Sequence, residues 1–302
     1  MTGSWTFERR NRFENALSAS RAAGRPVILD GATGTELDNR GARLTAPLWS
    51  GIASLQSPQL LGQIHSDYVA AGAEVITTCT FRTSRRVFER GGVTDDTWKR
   101  AARAAVQIAR EAAADRSAVA GSVGPLEDCF IPGAAPEGAE AEADHFALCE
   151  ILVEEGVDVL WLETFGTLAE LRAVIRAAKA ASAGQIPFAV SVTTDAAGNL
   201  ISKEPLKAAA DLAANQGAAA FCINCIPLSH VRAALPTLHQ RCGVPFGVYA
   251  NLGYAEPTQD WSGSAFMSPE AYAAEAVQWG AALLGACCGS TPAHIRALRT
   301  AF

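Results

Sequence analysis

The sequence lacks a basic face. Its 302 residues carry 25 Lys and Arg against 31 Asp and Glu, a formal net charge of −6, and the arginines at Arg9, Arg10 and Arg12 and at Arg82, Arg85 and Arg86 form short, interrupted groups. Nucleic acid and anionic membrane are therefore not expected partners. No apolar run approaches the ~20 residues that cross a bilayer. The opening stretch MTGSWTFERRNRFENALSAS mixes charge with apolar residues where a secretory leader has a continuous apolar segment. The expectation is a soluble, cytoplasmic protein. Nucleotide-binding signatures are also missing, because GATG at 31–34 is neither a full G-x-G-x-x-G nor a Walker sequence. The five histidines, His65, His145, His230, His239 and His294, fall in helical stretches with no metal-ligand spacing to one another, and solvated or capping roles are expected for them.

What is present is apolar surface and thiol. At 49% hydrophobic and 19% charged, the chain can bury a large core, and one domain over 1–302 is the simplest reading. Eight cysteines in a chain of this kind are expected to be mostly reduced thiols, so clustered ones point to metal or catalysis before disulfides. An Ala-rich amphipathic run ending in Gly and followed by a short β-prone run recurs at Gly72, Gly156, Gly217, Gly243 and Gly280, and each instance reads as helix, glycine cap, strand. With VILD at 27–30, AVAGSV at 118–123 and IPFAVSV at 186–192, eight buried-type strands result. Helices are expected over 57–71, 95–114, 140–155, 167–182, 204–216, 228–241, 268–279 and 292–300. This alternation is the signature of an α/β protein of the (β/α)8 TIM-barrel class, with an open doubly wound sheet as the alternative. The long connections 31–56, 124–139 and 251–267 all follow strands and would lie at the C-terminal face, where such barrels place their sites.

Polar and thiol side chains converge on those strand ends. Cys225 ends the sixth strand and the vicinal Cys287 and Cys288 end the eighth. Three thiolates with one position left open are what a catalytic zinc site needs. A vicinal pair can share one ion only if the backbone turns, which Gly289 makes easy. Cys222 and Cys225 also form a C-x-x-C, but three residues apart on a strand they point to opposite faces. Cys222 is expected to be a packing thiol, as are Cys79, Cys129, Cys149 and Cys242. On spacing alone, packing remains an equal reading for Cys225, Cys287 and Cys288.

The strand-end motifs carry a resemblance. LDGATGTEL (29–37), PLWS (47–50), GSVGP (121–125), WLETF (161–165), INCIP (223–227), YANLG (249–253) and GACCGSTP (285–292) occur in the order found in the homocysteine S-methyltransferases, which the chain resembles over nearly its whole length. The resemblance implies catalytic zinc on Cys225, Cys287 and Cys288, with Asn251 supplying an oxygen when substrate is absent. It implies that Asp30 and Glu163 hold the homocysteine ammonium and that amides around Gly31, Ala32 and Thr33 meet its carboxylate. Two departures stand out: GACC replaces the family's usual GGCC through Ala286, and Cys79 takes the place of the Asn in the T-N-T-F of some relatives.

The chemistry explains the thiols. A free thiol has a pKa of about 8.5 and is mostly protonated at neutral pH, whereas zinc deprotonates it. A donor that methylates it directly carries an onium centre, as in S-methylmethionine, S-adenosylmethionine or betaine, and such cations favour aromatic walls by ~0.5–2 kcal/mol. Trp49, Phe81, Phe165, Tyr249 and Trp261 are the candidates. The chain ends soon after the eighth helix, leaving no expected cobalamin or folate domain, and its length and PLWS motif are similar to stand-alone enzymes using S-methylmethionine. The alternatives are another donor, such as betaine or a corrinoid partner protein, another thiol acceptor, or a barrel in which zinc is only structural.

Overall fold

The computed structural model describes residues 12–131, 133–252 and 267–302. Eight strands form one parallel sheet: β1 Val27–Ile28, β2 Val75–Thr77, β3 Ala118–Val123, β4 Val159–Phe165, β5 Phe188–Val192, β6 Ala220–Asn224, β7 Phe246–Ala250 and β8 Leu283–Ala286. Each pairs with its neighbours in sequence, β1 pairs with β8, and a Leu29–Val75 bridge joins β1 to β2. The sheet is thus a (β/α)8 barrel, and the open-sheet alternative falls.

Helices α1 Arg12–Ala22, α2 Thr33–Asn39, α3 Ala53–Gln56, α4 Pro58–Ala71, α5 Arg85–Arg90 and α6 Asp95–Ala113 belong to the first half. The second half contributes α7 Gly138–Glu154, α8 Leu168–Ala181, α9 Leu206–Gln216, α10 Leu228–Arg241, α11 Pro269–Ala276 and α12 Pro292–Ala301. Local chemistry sets their ends. The Thr94 hydroxyl accepts from the Thr97 amide to start α6, whose first turn carries Asp95 and Asp96 against the helix dipole. Gly72, Gly217 and Gly280 stop their helices in the left-handed conformation and Gly156 adopts it just past α7, as the repeat implies; α10 instead ends at Cys242 in extended backbone, with Gly243 outside the pattern. The segment 31–56, expected to be loop, contains α2, the 3-10 turn Trp49–Ile52 and α3.

Strand alternation sorts the core into two shells. Outward residues such as Ile76, Leu160, Leu162, Val190, Phe221 and Val248 meet the helices. Inward residues are mostly small, Ala118, Ala120, Ala189, Ala220 and Cys222 among them, and the space they leave is filled by Trp161. Phe13 of α1 meets the Trp161 ring edge-on at 5.8 Å and closes the N-terminal end of the barrel. The acids and thiols that line the cavity lie at the opposite mouth. No helix among the described residues is long and apolar enough to cross a membrane.

Candidate active site

At the C-terminal mouth lies a cavity of ≈ 130 Å³ lined by residues from β1, β2, β3, β4, β6, β7 and β8 and the segments that follow them. Two buried carboxyls stand in it. Asp30, 4% exposed, accepts hydrogen bonds from the Thr77 amide (2.7 Å) and the Thr77 hydroxyl (3.1 Å). Glu163 accepts from the Ser122 hydroxyl at one oxygen and from Tyr249 Oη (3.1 Å) at the other, while Tyr249 Oη accepts from Trp161 Nε1 (2.9 Å). Burial pushes Asp30 up to about 8, opposed by the Thr77 bonds and assisted by the charge of Glu163. Burial likewise pushes Glu163 up to about 7, against the bonds from Ser122 and Tyr249. Two acids held this way are short of a cation, and an ammonium would let both ionise.

The position of Glu163 comes from an irregularity. The pairing of β4 with β5 shifts register between Leu162 and Phe165, and Thr164 adopts φ +68°. Such a bulge re-aims side chains at a strand end. Asn224 secures it by donating to the Thr164 hydroxyl (2.8 Å) and accepting from Ser191 Oγ (2.7 Å).

The three thiols meet across β7. Cys225 lies one residue beyond β6 with φ +53°, and its amide donates to the Tyr249 carbonyl (3.1 Å). That left-handed turn aims its sulfur into the cavity. Cys222 faces the barrel interior, where its sulfur occupies the space a side chain at Gly247 would need. The opposite-faces argument for the C-x-x-C therefore gives way to a turn after the strand, while the packing role of Cys222 stands. The chain leaves β8 at Cys287, whose amide donates to the Ala250 carbonyl (2.8 Å), and Gly289 turns it with φ +83°. Sulfur separations are 3.6 Å for Cys225–Cys288 and 3.8 Å for Cys287–Cys288, and all three sulfurs fall within 4.8 Å of one another.

Sulfurs about 2.3 Å from a tetrahedral zinc ion would lie about 3.8 Å apart. The donor set thus fits such an ion in spacing and in chemistry. Cys288 is held well below the usual thiol range by hydrogen bonds from Cys225 and Cys287, and Cys225 is held well above it by its hydrogen bonds with Cys287 and Cys288 and by burial. Three thiols this close ionise together only around a cation.

Around this core the remaining expected residues sort unevenly. Gly31 and Gly34 permit close packing, since a Cβ would lie 2.6 Å from Ser290 Oγ at the first and 2.3 Å from the Trp49 ring at the second. The Ala32 amide donates to Ser290 Oγ (2.9 Å), so it is committed within the protein. The Thr33 hydroxyl oxygen is buried without a partner among the described residues. Trp49, half-buried, and Phe81 line the cavity. Tyr249 also lines it, but its hydroxyl is engaged by Trp161 and Glu163. Phe165 is a correction: it is fully buried and packs edge-on against His145 at 5.6 Å, away from the mouth. Trp261 lies outside the described residues. Asn251 is buried just after β7, its amide donating to the Ile226 carbonyl (2.9 Å).

Two of the histidines are likewise corrected. His65 and His145 are buried, the latter 3.3 Å from Glu170, because their helix positions face the barrel; His294 caps α12 as expected. Cys79 is buried, with its thiol pushed up to about 12 and donating to the Ser50 carbonyl (3.4 Å). Ala286, the departure from glycine, packs in the outer shell between strands and helices and also borders the cavity. The residues that sequence reasoning missed are the supports: Thr77, Ser122, Thr164, Asn224 and Ser290. Ser122, Thr164, Asn224 and Ser290 sit inside quoted motifs, GSVGP, WLETF, INCIP and GACCGSTP, which was the available signal.

Fold and mouth together define a (β/α)8 enzyme with a thiol centre of metal-ligand geometry beside an acid pair. The family model described as homocysteine S-methyltransferase matches residues 27–302. The chain is 32% identical over 293 residues to Homocysteine S-methyltransferase of Escherichia coli (strain K12), covering 90% of this chain and 94% of that protein. It is 30% identical over 297 residues to Homocysteine S-methyltransferase YbgG of Bacillus subtilis (strain 168), covering 89% and 92%. The crystal structure of the homocysteine methyltransferase MmuM from Escherichia coli in its metallated form superposes with a TM-score of 0.80 at 30% identity, covering 95% of this chain and 99% of that one. The chain belongs to the homocysteine S-methyltransferase family. It is a methyltransferase acting on small molecules.

Proposed function

We propose that this enzyme transfers a methyl group to the thiol of L-homocysteine, giving methionine, with zinc held by Cys225, Cys287 and Cys288 and S-methylmethionine as the donor. The observation that carries the reading is the sulfur spacing of 3.6 and 3.8 Å at the barrel mouth. When bound, zinc supplies the means of keeping an acceptor sulfur deprotonated at neutral pH. Asp30 and Glu163 take the acceptor's ammonium between them, and the Thr33 hydroxyl with the amides of Gly31 and Thr33 meets its carboxylate. Trp49 encloses the cavity, Tyr249 fixes Glu163, and Asn251 offers its side-chain oxygen toward the metal.

In the reaction the acceptor sulfur uses a lone pair to form a bond to the methyl carbon. The donor's sulfur–methyl bond breaks with its electron pair staying on the leaving sulfur, which turns from onium to neutral thioether. The acceptor's thiol proton goes to solvent. The test is methionine formation by zinc-loaded enzyme from homocysteine with S-methylmethionine, with S-adenosylmethionine run beside it. Turnover with the first is expected, and none with it would overturn the donor assignment.

A further inference from the structure

The cavity that would hold acceptor and donor is lined by acids and thiols: Asp30, Glu163, Cys225, Cys287 and Cys288. That inventory suits the positive centre of an onium donor anywhere in the mouth. A donor carboxylate, by contrast, would be repelled by nearly every ionisable group in it.

One guanidinium departs from this pattern. Arg82 follows β2 in the segment TFRTS, half-buried, with its Cζ 5.6 Å from the centre of the Phe81 ring, and Phe81 itself lines the cavity. Its backbone is fixed, because the Arg82 carbonyl packs where a side chain at Gly51 would stand, and the next hydroxyl, Thr83, donates to the Gly51 carbonyl (3.1 Å). Its neighbours Arg85, Arg86 and Arg90 are all in ion pairs with carboxylates, whereas no carboxylate pairs with Arg82 among the described residues. A guanidinium held over a ring that lines an acidic cavity, and paired with no carboxylate among the described residues, presents a planar fork of donors suited to a carboxylate.

We propose that Arg82 is the specificity-determining anchor for the methyl donor's carboxylate, so that this site selects zwitterionic donors, an onium methyl group and a carboxylate on one small molecule. The proposal rests on the methyl-transfer reading above and adds which end of the donor is recognised. The acceptor's own carboxylate is left to the Gly31–Thr33 side of the mouth.

The test compares each of two donors, S-methylmethionine and betaine, with its methyl ester, which keeps the onium centre and removes the carboxylate charge. Binding is measured by calorimetry on the zinc-loaded enzyme, with and without homocysteine, and steady-state constants are taken wherever turnover occurs. Wild-type enzyme should bind at least one acid more tightly than its ester by roughly 10- to 100-fold, the range of a charge-assisted hydrogen bond. Arg82→Gln should erase that difference and Arg82→Lys restore part of it, with the effect falling on the donor's KM and leaving the KM for homocysteine in place. Equal binding of acid and ester in both pairs overturns the proposal. So does an Arg82→Gln variant whose loss appears in the KM for homocysteine, or one that keeps the preference. Failure of S-methylmethionine to react, with the acid preference intact in binding, removes the donor assignment and leaves the anchor standing.

Discussion

The acid pair makes a quantitative prediction about protons. With Asp30 at about 8 and Glu163 at about 7, roughly nine-tenths of the first and half of the second carry a proton at pH 7 in the ligand-free enzyme. An ammonium seated between them favours both carboxylates, so binding should expel about 1.4 protons at pH 7. Methionine is the ligand to use, because it has the amino-acid end of homocysteine without an ionisable thiol. The assay is titration calorimetry in buffers of different ionisation enthalpy, where the slope of observed heat against that enthalpy counts the protons released. Glu163→Gln, which also removes a charge that raises Asp30, should lower the count to at most about 0.9 and Asp30→Asn to about 0.5, with weaker binding in both. Zero release, or uptake, by the wild-type enzyme would refute the claim that these acids wait protonated for an ammonium.

Three further outcomes follow from the same geometry. Both carboxyls have folded-state pKa values above their ordinary ones, so the stability they favour is present below about pH 4 and is lost as pH rises through about 7 and 8; the melting temperature of ligand-free enzyme should fall across that window, and bound methionine should reduce the fall. Cys288→Ala should abolish stoichiometric zinc, read by elemental analysis, and methyl transfer, while circular dichroism stays that of a folded barrel, because the core does not depend on the ion. Gly285→Ala would place a Cβ 2.7 Å from that of Leu29 and 3.0 Å from the Asp30 carbonyl, contacts that cannot swing away; denaturant titration should show a loss of about 1–3 kcal/mol.

The sequence was most informative where periodicity and capping act locally. The eight barrel helices lie within a few residues of their expected bounds because Ala-rich faces, Pro at some first turns and Gly at several ends agree. The short helices α2 and α5 were invisible, since six or seven residues carry too few turns to show a period and are held by tertiary contacts. The site was legible as a set of strand ends, but its aim was not. Cys225 and Thr164 take left-handed backbone that residue type does not announce, and Glu163 depends on a register shift defined only by the neighbouring strand. Phe165 shows the same limit from the other side: one residue beyond that shift, it faces the helices instead of the mouth.

The closed order of the strands has a consequence for chain length in the acceptor. Asp30 and Glu163 come from the first four strands, and all three sulfurs come from the last four. Under the proposed reading, a molecule held by its amine at Asp30 and Glu163 and by its sulfur at the thiol centre is measured by the spacing of those strand ends. Since the parallel ladders fix that span, the barrel acts as a ruler. Under the proposed reading, an amino-thiol one methylene shorter should be methylated less efficiently than homocysteine, which paired steady-state assays of the two acceptors would check.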